Sequence, residues 1–114
     1  MGAAELRTAS WAIRTTVDVP IDRLLAEEVG PGEAAAITLA AARGARLLLI
    51  DDKKARRIAE LAYQLPVRGV AGCLILAKRK GLIEAVVPLL QQMRSAGYFL
   101  SDRLIEMIRH AAGE

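Results

Sequence analysis

Four consecutive apolar residues, Leu47-Leu48-Leu49-Ile50, stand between Arg46 and the pair Asp51-Asp52. A run this short, apolar without alternation and closed by charge at both ends, predicts a strand buried on both faces. Such strands belong to parallel sheets covered by helices, and helical sequence lies on either side. Upstream, Gly30-Pro31-Gly32 reads as a turn, Glu33 opens an Ala-rich helix to Arg43, and Gly44 suits its left-handed C-terminal position. Downstream, Lys53 to Gln64 reads as a helix with Ala55, Ile58, Ala59 and Ala62 on its inner stripe. One carboxylate thus starts a helix, and two more follow a buried strand. In a parallel α/β sheet those ends can share one edge, where ligands and metals bind.

The flanking sequence extends the pattern. Ala3 to Ala9 reads as helix, and Trp11, Ile13, Thr15, Val17 and Val19 alternate as in a strand. Pro20 ends that strand and starts a short helix, Ile21 to Val29. Pro66 to Val70 is a short strand and loop, and helices follow over about 71–80, 83–96 and 101–112. Ser101 is the N-cap of the last. Pro88 requires the middle helix either to begin late or to kink. The expectation is a single α/β domain over residues 1–114, a short parallel sheet flanked by helices with a helical C-terminal part. Three short strands make a thin sheet, so Leu47–Ile50 is expected to need a further neighbour.

Composition constrains function less than pattern does. The chain is 54% hydrophobic but 4% aromatic, so Ala, Leu, Ile and Val build the core, and the apolar excess predicts surface covered by another chain. The net charge of +3 is concentrated at Lys53, Lys54, Arg56 and Arg57 and at Lys78, Arg79 and Lys80. Clusters of this kind permit nucleic-acid contact, although a solvated helix face is their commoner role. The single cysteine, Cys73, excludes a disulfide framework, and the single histidine, His110, supports neither a zinc site nor a nucleophilic triad. No signal peptide opens the chain and no apolar run is long enough to span a membrane, so a cytoplasmic, membrane-free protein is expected.

Taken singly, Glu33, Asp51 and Asp52 have ordinary roles: a helix-start carboxylate and helix caps. Taken together, they could hold a hard divalent cation, with the basic residues after them neutralising a phosphate backbone. Spacing alone leaves both readings open.

The segments Gly30-Pro-Gly-Glu33-Ala-Ala-Ala-Ile37 and Leu47-Leu-Leu-Ile50-Asp51-Asp52-Lys53-Lys54-Ala55-Arg56-Arg57 resemble the second half of PIN domains. The closer match is a VapC-like subgroup often left as a domain of unknown function. Val67-Arg-Gly-Val-Ala-Gly72, Leu76-Ala-Lys-Arg-Lys-Gly-Leu-Ile83, Gly97-Tyr-Phe-Leu-Ser101 and Gly113-Glu114 carry the same resemblance. It implies a three-layer PIN-like fold and a metal-dependent endoribonuclease using Mg²⁺ or Mn²⁺, of the toxin type found in toxin–antitoxin pairs. By resemblance Glu33 and Asp51 are the catalytic acids and metal ligands, with Asp52 as the neighbouring ligand. Lys53, Lys54, Arg56 and Arg57 would meet the nucleic acid. A PIN domain normally begins with a strand ending in Asp, whereas the only acid here before Asp18 is Glu5. An N-terminally truncated fold with an incomplete, inactive site is therefore one expectation. The alternative is a non-catalytic interaction protein, forming a homodimer or higher oligomer or binding an antitoxin-like partner.

Overall fold

The computed structural model describes residues 3–114. Helices α1 (Ala3–Thr8), α2 (Arg23–Glu28) and α3 (Pro31–Arg43) precede strand β1 (Leu48–Leu49). Helix α4 (Lys53–Leu61), strand β2 (Val67–Arg68) and helix α5 (Val70–Arg79) follow, and α6 (Val87–Ser95) and α7 (Asp102–Ala111) complete the chain. The two strands pair in parallel, with Leu48 opposite Val67 and Leu49 opposite Arg68. Helix α4 is the crossover that parallel pairing requires. The result is a helix-rich α/β fold around a short parallel sheet.

Two hydrophobic cores form. The first joins Leu25 of α2, Ala34, Ile37 and Ala40 of α3, Leu48 and Ile50 around β1, and Ala55 and Ala59 of α4. Ala34, Ala55 and Ala59 are almost wholly enclosed. Their small side chains let α3 and α4 approach closely, and larger ones would overpack the contact. The second core is built on Val86, Leu90 and Ile108, with Leu74, Ile75 and Met93 packed against it. Helix α5 contacts both β2 and α7 and thereby links the two.

Burial of β1 on both faces does not occur. Leu48 and Ile50 are buried, at 8% and 7% exposure, whereas Leu47 and Leu49 are 40% and 61% exposed. The reason is tertiary: α3 packs on the buried face of β1 and β2 occupies one edge, while Leu47 and Leu49 project from the opposite face. The alternating segment around Trp11–Val19 likewise forms no ladder, since the only sheet among the described residues has two strands. Alternation selects a face, but a strand also needs a neighbour for its N–H and C=O groups. Trp11 and Ile13 remain 79% and 87% exposed.

Other local signals hold. Gly44 adopts the left-handed conformation at the end of α3, Ser101 caps α7 through the Leu104 N–H, and α6 begins late, at Val87 with Pro88 in its first turn. Asp22, not Pro20, starts α2, accepting the N–H groups of Leu24 and Leu25. No helix among the described residues is long and apolar enough to cross a membrane.

The C-terminal end is latched. Gly113 has φ +73, and the chain closes α7 with Gly113 N–H donating to His110 and Glu114 N–H to Arg109. This reversal, which needs a residue tolerant of positive φ, directs Glu114 back to the start of α6. The Glu114 carboxylate accepts the Val86 and Val87 N–H groups at 2.6 and 3.1 Å, and Lys78 Nζ at 3.0 Å. Lys78 also donates to the Ala112 carbonyl at 2.7 Å. The Val86 N–H, then that of Val87, with Lys78 adding to them, hold the Glu114 carboxyl down to about 2. Lys78 is thus a structural cation, not part of a free basic surface.

Candidate functional site

The expected site residues sit on neighbouring elements but face two hollows. Glu33 is in the first turn of α3, where a negative group meets the positive end of the helix dipole. Its carboxylate reaches back over Gly30, close enough that a Cβ there would lie 2.5 Å from Oε2. Gly30 therefore leaves the space that Glu33 occupies. Asp52 is the N-cap of α4, its Oδ2 accepting the Ala55 N–H at 2.8 Å. Glu27, Glu28, Glu33 and Asp52 line one hollow of about 390 Å³ together with Lys54. Lys54 pairs with Glu28 at 2.9 Å and holds the Glu28 carboxyl below its ordinary value, first by hydrogen bonding and then by its charge. Four carboxylates facing one ammonium make this wall negative.

Asp51 turns the other way. Its Oδ1 accepts the Val70 N–H at 3.0 Å, tying the end of β1 to the start of α5 across 19 residues of sequence. It lines a second hollow of about 380 Å³ with Arg56, Gly69 to Gly72 and the connector between α6 and α7. Arg56 Nη1 lies 3.4 Å from the carbonyls of Ile50 and Asp51 and has no carboxylate partner among the described residues. Lys53 and Arg57 are exposed on α4. The four basic residues therefore part company: Lys54 joins the acidic wall, Arg56 the second hollow, and Lys53 and Arg57 the solvated face.

The donor chemistry suits a hard cation, because every candidate ligand is a carboxylate. The number does not reach a closed site: no three acid, histidine or cysteine side chains among the described residues form a group that could hold an ion. Glu33 and Asp52 share a hollow, and Asp51 stands apart from them.

Several contributors to the second hollow are not evident from the motifs around the acids. Gly69 and Gly72 form part of its wall, and a Cβ on Gly69 would lie 2.3 Å from Arg56 Nη1 and 3.1 Å from Asp51 Oδ1. The stem of Arg68 packs on Gly72, and its buried Nε has no hydrogen-bond partner among the described residues. Tyr98 and Phe99 arrive from about 40 residues further along the chain. The signal for them is Gly97 before the aromatic pair and Ser101 after it, a helix stop and a helix start only four residues apart.

The family model DUF3368, described as a PIN domain, matches residues 2–114. No curated protein and no solved structure matches the chain.

Proposed function

This chain belongs to the PIN-domain family, whose members are nuclease-type domains, and from that premise we propose that it is a metal-dependent endoribonuclease of the VapC-like toxin type. The observation that carries the reading is the acid-lined hollow beside the end of β1, with the basic helix α4 on its rim. Ligand sites of parallel α/β folds lie outside the carboxyl ends of their strands.

Mg²⁺ is commonly bound through one or two carboxylates, with waters and substrate phosphates completing its shell. Glu33 and Asp52 would hold such an ion, with Asp51 as the adjacent acid. When bound, the ion supplies a more acidic water and charge stabilisation at a phosphate. The chain itself supplies orientation. The Ala55 N–H fixes Asp52, Gly30 keeps space for Glu33, and Lys53 and Arg57 meet phosphates along the exposed side of α4. Mn²⁺ titrated calorimetrically should bind the native protein and fail to bind Glu33→Ala and Asp52→Ala. Unchanged binding in both variants removes the proposal. Mn²⁺-dependent cleavage of single-stranded RNA, lost in Glu33→Ala, is the expected activity.

A second reading rests on a separate observation. Trp11, Ile13, Leu49 and Leu61 are large, apolar and 61–87% exposed, which suits an interaction protein that buries them against another copy or an antitoxin-like partner. Light scattering separates the cases. A monomer at high concentration counts against self-association, while a dimer with no nuclease activity favours this second reading.

A further inference from the structure

The second hollow has an aromatic ledge that the acid motifs do not explain. Helix α6 ends with Gly97 N–H donating to Arg94 and Tyr98 N–H to Met93, at 3.1 and 3.0 Å, and Gly97 has φ +106. This is the double hydrogen-bonded reversal that closes helices at glycine. Four residues after Gly97, Ser101 caps α7, its Oγ accepting the Leu104 N–H at 3.1 Å. The Arg94–Asp102 ion pair, at 3.0 Å, ties the two helices across the connector. Tyr98, Phe99 and Leu100 are therefore held between two closed helix ends rather than on a long loop.

The ledge is held in a position that hydrophobic burial does not favour. Phe99 is 91% exposed and Tyr98 56% exposed, yet both line a hollow of about 380 Å³ that Arg56 and Asp51 also line. Exposed aromatic rings in one hollow with a guanidinium that has no acid partner among the described residues form a surface with two complementary demands, a planar ring and an anion. We propose that this hollow is a subsite for one nucleotide of a single-stranded RNA, with the base against Phe99 and Tyr98 and its phosphate at Arg56. The volume falls in the range of small-ligand pockets, which are largely apolar with a few convergent polar groups. Aromatic side chains stack bases with little regard to sequence, and arginine meets phosphate through a planar fork of donors. Asp51 is an acceptor lining the same hollow, its Oδ1 already taking one N–H, and the ribose 2′-hydroxyl is a donor that DNA lacks. Asp51 thus selects ribose over deoxyribose. The subsite deepens the nuclease reading and rests on it for the choice of RNA.

The test measures binding with metal chelated, so that it does not depend on cleavage. A fluorescent single-stranded RNA hexamer in EDTA is titrated with the full chain and followed by anisotropy. Phe99→Ala should weaken binding at least about fivefold, while Phe99→Trp retains it. Thermal stability should be unchanged, since the ring is exposed. Arg56→Gln should weaken binding and lower the slope of log affinity against log salt by about 0.7, the value for one phosphate on a single strand. Arg56→Lys should keep that slope. Asp51→Asn should narrow the preference for RNA over the matching DNA hexamer. Native affinity in both Phe99→Ala and Arg56→Gln, or no binding by the native chain, overturns the subsite. So does a dimer that dissociates in Phe99→Ala while RNA binding persists, because the hollow is then a protein contact. Cleavage with Mn²⁺ is scored separately. Phe99-dependent binding without cleavage upholds the subsite and removes the nuclease reading; cleavage with Phe99-independent binding does the reverse.

Discussion

Two groups of carboxylates in this protein meet helix N-termini, and they do so to opposite effect. At the C-terminal latch, Glu114 takes two backbone N–H groups and Lys78, and its side chain is only 15% exposed. Both oxygens are occupied, and the residue joins α5, α6 and α7. At the acidic wall, Asp52 gives one oxygen to a local cap and Glu33 leans over Gly30, each within its own helix start. Neither joins distant parts of the chain. A carboxylate engaged on both oxygens serves the fold, whereas one with an oxygen still facing a hollow is available to a ligand. Asp51 lies between these extremes, linking β1 to α5 through one oxygen only.

The largest stability effect should appear beneath the latch. Leu90→Ala empties a fully buried position in the second core, and large-to-small changes of this kind cost about 2–5 kcal/mol. Denaturant unfolding measures it. A loss below about 1 kcal/mol would mean that the second core is loosely packed and that the latch closes over little of consequence.

Glu114→Gln comes next. Its carboxyl sits near 2 when folded, against an ordinary value of 4.5, because the Val86 and Val87 N–H groups and Lys78 stabilise the charged form. The sign follows from linkage: between those values the unfolded chain binds a proton that the folded chain refuses. The contribution is complete above about pH 4.5 and is lost as pH falls through about 2. Thermal melts should show a lower Tm for Glu114→Gln at neutral pH. The gap from the native protein should narrow as pH falls from 4.5 toward 2. A constant gap over that range would dissolve the contrast between latch and wall.

At the wall, Asp52→Ala removes an N-cap and should cost about 1 kcal/mol in chemical unfolding. Asp52→Asn should retain most of that stability while impairing Mn²⁺ binding, which separates the capping role from the ligand role. Glu33→Gln should be the mildest change, within about 0.5 kcal/mol, because it alters only the interaction with the α3 dipole. A loss for Glu33→Gln equal to that for Glu114→Gln would make the wall structural, as the latch is.

How much was legible beforehand varies with the range of the interaction. Helix ends were readable because their signals act within a few residues: Gly44 closes α3, Ser101 caps α7, and Pro88 occupies the first turn of α6. The strands were readable as apolar segments but not as partners. Leu47 to Ile50, apolar without a break, reads as covered on both faces but is covered on one, and Trp11 to Val19 has the alternation of a strand without a ladder. The acids were found at their helix and strand ends. Their division between two hollows was not, because Asp51 is turned by an N–H that lies 19 residues away.

The amino-acid sequence by itself determined most helix ends, the alanine-rich make-up of α3 and of the inner stripe of α4, and membership of the PIN-domain family. Each depends on local backbone preference, on side-chain size at helical spacing, or on motifs readable in order along the chain. Tertiary structure alone decided that β1 is covered on one face and that Asp51 parts from Glu33 and Asp52. It also decided that Lys78 serves Glu114 and that Tyr98 and Phe99 line one hollow with Arg56. The physical reason is common to all four. A carboxylate, an ammonium or an aromatic ring takes its role from the groups that folding brings within about 3–4 Å of it, and those groups lie far away along the chain.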